Sequence, residues 1–217
     1  MHSHSNTPDN PSQTEGRLIR WANSYDLLVN LFTLGQVYRL REMTVELAGL
    51  QPGDSLLDVG CGPGSVTIPA KKRLGTNGRA AGIDPSPEMI ARARQNAAQK
   101  GLDIDFRVGV IEDLPFPDAT FDVVTASLMI HHLPGDLKAS GLAEVYRVLK
   151  PGGRLLIADF MRPTESLSSR FFTAVSMHLG MTEGIEDLPE LLEGARFSQI
   201  NRMKERFLVI GFVKAIK

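Results

Sequence analysis

A glycine-rich turn, an acid closing a strand and a pair of adjacent histidines carry the chemistry this sequence offers. The turn lies in Leu56-Leu57-Asp58-Val59-Gly60-Cys61-Gly62-Pro63-Gly64-Ser65. Gly60, Gly62 and Gly64 allow backbone angles and close approaches that a Cβ would forbid. A helix starting near Ser65 would aim unpaired N–H groups into the turn, which suits a phosphate or a carboxylate. A tight strand-to-helix turn with no ligand is the competing reading. Asp84 follows the last loop glycine by about 20 residues, where an acid chelates ribose hydroxyls. A turn carboxylate at a helix start is the plainer alternative. Beyond it, Pro85 and Met89 could pack on one face of a purine and Ile111 on the other. The backbone at Val110 and Ile111 could read the purine edge, with Glu112 or Asp113 accepting from an exocyclic amine or standing as exposed turn acids. His131 and His132 are the general-base candidates, since imidazole titrates near neutral pH. Alternatively one of them caps or packs in its loop.

Elements that position these residues can be read in order. Residues 1–16 are rich in Ser, Asn, Pro and Thr and are expected to be a disordered arm. Trp21, Tyr25, Leu28 and Phe32, then Leu40, Met43 and Leu47, fall at helical spacing. Residues 17–50 are therefore expected to form helices ahead of the first strand, as a lid over the sheet or as plain core cover. Ser55 to Val59 reads as a buried strand, and Val66 to Leu74 as the helix behind the turn. Arg79 to Ile83 is a strand ending at Asp84, and Pro85 to Gln99 a helix capped by Ser86. Ile104 to Val108 and Phe121 to Ser127 are further strands, and Leu137 to Leu149 a helix. Pro151-Gly152-Gly153 turns into a strand over Arg154 to Asp159. Ser166 to Leu179 and Leu188 to Glu193 look helical, within an insert over 163–195. Phe197 to Met203 and Phe207 to Val213 read as an antiparallel hairpin closing the sheet. Alternating strands and helices with short links call for an α/β, doubly wound, mostly parallel sheet covered on both faces.

Composition narrows the function. The 217 residues fit one domain with a large core over 51–217, and a net charge of -1 offers no basic footprint for nucleic acid. No apolar run reaches the length of a bilayer span, so the expectation is a cytoplasmic protein, with peripheral membrane contact left open. Cys61 stands alone, which excludes an internal disulfide and a multi-cysteine metal site, and it sits where a small packing side chain is needed. The third glycine of the dinucleotide pattern comes one residue early, at Gly64, which argues against a nicotinamide oxidoreductase.

The ordered set D-V-G-C-G-P-G, G-I-D-P-S, E-D-L-P-F-P-D-A-T-F-D and V-L-K-P-G-G-R-L-L-I-A-D-F, over residues 54–160, resembles the class I S-adenosylmethionine-dependent methyltransferases. The lead-in from Tyr25 to Gly35 is similar to that of the ubiquinone/menaquinone-biosynthesis C-methyltransferases, and phospholipid N-methyltransferases have a similar one. The resemblance implies seven strands in the order 3-2-1-4-5-7-6, the last antiparallel, and S-adenosylmethionine as cofactor with S-adenosylhomocysteine as product. It implies that Gly60, Cys61, Gly62 and Pro63 line the methionine portion, with Tyr25 approaching from the lid. Asp84 would hold the ribose, Val110 and Ile111 would flank adenine, and Ser127 would touch the cofactor from the fourth strand. Val110 departs from the Asp or Asn common there, and Met129-Ile130-His131-His132-Leu133 departs from the quinone enzymes' loop.

A methyl sulfonium is already activated, so aligning a nucleophile and excluding water can supply most of the acceleration without a metal. The N-terminal helices, the strand-four loop, Phe160-Met161-Arg162 and the insert with Phe171, Phe172 and Met177 are expected to build the acceptor pocket, an apolar and partly aromatic lining suited to a small lipophilic or aromatic molecule, with Arg162 recognising an anionic group on it or standing at the surface. His178 is a weaker candidate base. A protein that binds the cofactor without turnover and a phospholipid N-methyltransferase are the alternatives. The acceptor, the methylated atom and the oligomeric state are open.

Overall fold

Ser55–Val59, here β1, takes the centre of the sheet because its apolar side chains alternate to both faces with none to spare for water. Leu56 and Leu57 are wholly buried and Val59 nearly so. The computed structural model describes residues 36–162 and 184–217. The expected arm, the helical stretch with Tyr25, and the Ser166 to Leu179 helix with Phe171, Phe172, Met177 and His178 lie outside the described residues.

Seven strands form one sheet. β2 is Arg79–Asp84, β3 Asp105–Val108, β4 Phe121–Ser127, β5 Leu149–Phe160, β6 Ser198–Phe207 and β7 Ile210–Ile216. Their order is β3-β2-β1-β4-β5-β7-β6, as expected, and β7 runs antiparallel to both its neighbours. The helices are α1 Val37–Leu47, α2 Thr67–Leu74, α3 Pro87–Ala98, α4 Gly135–Val148 and α5 Leu188–Gly194.

Two apolar layers sandwich the sheet. Leu57, Val59 and Ile83 share one with Leu142, Val145 and Val148 of α4. Leu56, Val123 and Phe212 share the other with Leu40 and Val45 of α1 and Leu74 of α2. Each such side chain contributes about 1.5–3 kcal/mol by leaving water. No helix of the described residues is long and apolar enough to cross a membrane.

Strand register decides what meets at the carboxyl edge. Val59 pairs with Ile83 on one side and with Ala126 on the other. The next residues along are Gly60, Asp84 and Ser127, side by side. Ser127 in turn pairs with Ala158, so Asp159 comes next on β5. β1 lies between β2 and β4, where the winding reverses and open α/β sheets bind ligands.

The largest differences from the sequence reading fall in the last three strands. β5 begins at Leu149, since Leu149 pairs with Phe121 and the C-terminal Lys217 pairs with Gly152 and Gly153, drawing the turn into the strand. β6 runs on to Phe207 through Lys204, Glu205 and Arg206, exposed residues of a sheet edge that show no apolar period. The hairpin therefore turns at Leu208, which takes a left-handed φ of 54°, and β7 starts at Ile210 instead of Phe207.

Candidate active site at the carboxyl edge of the sheet

The glycine turn leaves β1 at Gly60 with φ 67°, and a Cβ there would stand 2.8 Å from both Cβ and Cγ of Met129. The loop after β4 thus packs directly on the turn, and only glycine permits it. Cys61 N–H donates to Ile83 O at 2.9 Å, and Asn96 Nδ2 donates to Pro63 O at 2.9 Å. Cys61 is 5% exposed and packs with Phe106 and Ile90, as a small buried side chain was expected to. Burial pushes its thiol well above the ordinary range.

Asp84 bridges two elements. Its Oδ2 accepts from Gly62 N–H and its Oδ1 from Ser86 N–H, both at 2.9 Å. Burial raises its pKa, and those amide bonds pull it back in part. Ser86 caps α3, with Oγ accepting from Met89 N–H at 3.3 Å. Pro85 is half-buried and Met89 buried in the first turn of α3. Val110 and Ile111 are both buried, so their side chains belong to the core and their backbone borders the edge. Ile111 packs where Gly141 of α4 has no side chain. Glu112 is half-buried and Asp113 exposed.

A hollow opens between this turn, α1 and the end of β4. Gly60, Cys61, Gly62, Pro63 and Ser127 line it, joined by Val37, Leu40 and Arg41 of α1. Leu128 also lines it and holds a left-handed φ of 55°, a conformation costing about 1–3 kcal/mol for a residue with a side chain.

Two acids escaped the sequence reading as site residues. Asp58 lines the hollow and is 2% exposed. Its Oδ2 accepts from Thr67 Oγ1 at 2.6 Å and its Oδ1 from Thr125 Oγ1 at 2.8 Å. Burial pushes its carboxyl up to about 6, against the pull of those hydroxyls. Asp159 lies 2.6 Å through Oδ1 from His131 Nδ1, both side chains 5% exposed or less. Burial alone would raise the Asp159 carboxyl, but the His131 charge and hydrogen bond hold it below the usual carboxylate range. The His131 ring also stands edge-on to Phe160 and stacks at a tilt on His132, with centroids 3.9 Å apart in the latter pair. The available signal for both acids was their place at or next to a strand end, the position that marked Asp84.

This chain is similar to known proteins over most of its described length. A family model described as a methyltransferase domain matches residues 56–153. A ubiquinone/menaquinone biosynthesis C-methyltransferase UbiE from Teredinibacter turnerae is 32% identical over 177 residues, 80% of this chain and 70% of that protein. Its counterpart from Hydrogenovibrio crunogenus is 33% identical over 161 residues, and there the chain spans 62% of the relative's length. Among solved structures, a SAM-dependent methyltransferase from Aquifex aeolicus has a TM-score of 0.66 at 24% identity, over 81% of this chain and 88% of that one. Haemonchus contortus phosphoethanolamine N-methyltransferase 2, solved with S-adenosyl-L-methionine, has a TM-score of 0.67 at 20% identity, over 82% of this chain and 52% of that one. At those identities the solved structures speak to fold alone.

Proposed function

The chain belongs to the class I S-adenosylmethionine-dependent methyltransferases, and from that premise we propose that it methylates a small lipophilic or aromatic acceptor. The observation that carries this reading is the 2.9 Å bond from Gly62 N–H to Asp84 Oδ2, which locks the glycine turn to the strand-end acid beside an open hollow. A nucleoside with an amino-acid tail fits that arrangement. The amides of Cys61, Gly62 and Gly64 are bonded within the protein, so the nucleoside's carboxylate would lie at the start of the helix behind the turn, with its ammonium facing Asp58. Asp84 would hold its sugar hydroxyls. Met89 with Pro85 and the Val110-Ile111 backbone would hold its purine, with Glu112 at the edge. When bound, S-adenosylmethionine supplies an activated methyl group on a sulfonium.

The residues around it do the rest. Met129 packs on Gly60 and covers that side of the turn. Ser127 and Leu128 fix the side from which an acceptor approaches, and alignment contributes most of the rate. Resemblance to the UbiE enzymes supports an aromatic, quinone-like acceptor. Calorimetric titration should show S-adenosylhomocysteine binding and NAD not. Incubating the chain with methyl-labelled cofactor and cell extract should put label into an organic-soluble product. Label confined to water-soluble products would end the lipophilic reading.

Gly141 offers a finer test of the adenine end. A Cβ there would stand 2.9 Å from Ile111 Cγ1 and Cγ2. Gly141→Ala gains about 1 kcal/mol of helix propensity and loses about as much to overpacking. Its melting temperature should hardly change, while displacement of Ile111 lowers S-adenosylhomocysteine affinity about threefold, as calorimetry would show.

A further inference from the structure

A second hollow lies at the same edge. It is narrow, with room for about one water or a single hydroxyl, and its wall includes His131, Lys138, Asp159, Ile185 and Asp187. One short segment divides it from the first: Ser127 and Leu128 line the hollow assigned to the cofactor, Ile130 and His131 the second. We propose that this second hollow receives a hydroxyl group of the acceptor, a phenol or enol, that His131 removes its proton, and that Asp159 is the positioning residue which makes His131 able to do so. The inference rests on the methyltransferase reading and names the acceptor class for it.

Asp159 is held on every side. His131 N–H donates to its Oδ2 at 3.1 Å, Phe160 N–H donates to its Oδ1 at 2.8 Å, and the His131 ring takes the remaining place at 2.6 Å. A carboxylate that accepts from Nδ1 fixes the proton there and leaves Nε2 as the basic atom. Burial of both side chains keeps water from competing for that bond.

Charge in the wall selects a hydroxyl over an amine. Asp159 is engaged by His131. Asp187 is engaged by Arg162, whose Nη2 lies 2.8 and 2.7 Å from its two oxygens. Neither acid is left to receive an ammonium ion. Lys138, from α4, is buried in the same wall. His132 is the other titratable group against the His131 ring.

Atoms balance simply. The hydroxyl proton passes to His131 Nε2. The oxyanion, or the ring carbon beside it, forms a bond to the methyl carbon. The sulfur–methyl bond breaks with its electron pair going to sulfur, giving a neutral thioether. Attack through carbon is followed by loss of that carbon's proton, which restores the hydroxyl. One proton reaches solvent in either case.

The test uses the full chain saturated with S-adenosylhomocysteine and the probe 4-nitrophenol, whose phenolate is coloured. At a pH where free probe is chiefly unionised, the complex should show the phenolate band. His131→Gln should abolish the band and weaken probe binding at least about tenfold, with S-adenosylhomocysteine affinity by calorimetry kept within about twofold. Asp159→Asn should also lose the band. Nitrogen NMR of labelled histidine should then report that His131 no longer holds its proton on Nδ1 alone, a change that a purely structural role for Asp159 would not produce. The proposal is overturned if the probe does not bind, if His131→Gln keeps the band, or if 4-nitrobenzylamine binds more tightly than 4-nitrophenol. That last comparison needs no variant to fold. Absent S-adenosylhomocysteine binding would sink the cofactor reading itself, whereas intact binding without a phenolate band would sink this proposal alone.

Discussion

Asp84→Ala should weaken S-adenosylhomocysteine binding about 100-fold while the chain stays folded, as calorimetry and a melting curve would show together. The carboxylate spends one lone pair on Gly62 N–H and one on Ser86 N–H. Its remaining lone pairs are open to sugar hydroxyls. A hydrogen bond to a charged group contributes about 1.5–3 kcal/mol, and two at the low end give about 100-fold in affinity. The low end applies because the charge is already shared with two amides. Alanine also frees the glycine turn from the start of α3, which adds to the loss. Asp84→Asn should lose less, about tenfold, because its one acceptor oxygen keeps one of the two amide bonds and its NH2 can still meet a sugar hydroxyl. Because burial raises the Asp84 carboxyl, affinity should fall on acidification as that group takes up its proton. Unchanged affinity in Asp84→Ala would refute the sugar clasp.

Much of this edge was legible because its signals are local. A buried run ending in glycines marks β1 and its turn within ten residues of sequence, and Ser86 announces the helix it caps. Alternation of strands and helices with short links called for a doubly wound, mostly parallel sheet, and the order of its strands was what the family resemblance implied. The hairpin boundary did not, because the exposed, charged β6 has no apolar rhythm to mark its end and only Leu208 shows where the chain reverses. Asp58 and Asp159 were legible as residues but not as chemistry. What makes each of them unusual is a partner far along the chain: Thr125 stands 67 positions from Asp58, and His131 stands 28 from Asp159. No local pattern encodes such a meeting; it comes from parallel strands setting their carboxyl ends level. His131 was read as a candidate base from residue type alone, and its orientation by Asp159 needed the register of β4 against β5.

Asp58→Asn should make the chain more stable and a poorer binder at the same time. In the unfolded chain this carboxyl ionises near 3.8, and in the folded chain burial pushes it up to about 6. Between those values the folded state keeps a proton that the unfolded state has lost. Stability therefore falls as pH rises through that window and stays lower above it, by about 3 kcal/mol. Asparagine carries no charge to desolvate. Its oxygen can accept from one of Thr67 and Thr125 and its amide can donate to the other, so the buried threonines keep partners. At pH 8 the variant should melt higher by about 8 °C, taking about 2–4 °C per kcal/mol for a chain of this size. At pH 4, where the native carboxyl is protonated in the folded chain, the gain should shrink towards zero. S-adenosylhomocysteine affinity should drop about tenfold, because the amino-acid ammonium loses the charge it faces. A variant that melts lower at pH 8, or whose gain is the same at both pH values, would refute the account. A charge held under the glycine turn at such a cost, where a neutral amide of the same shape would serve the fold better, is explained by a cation that arrives from outside.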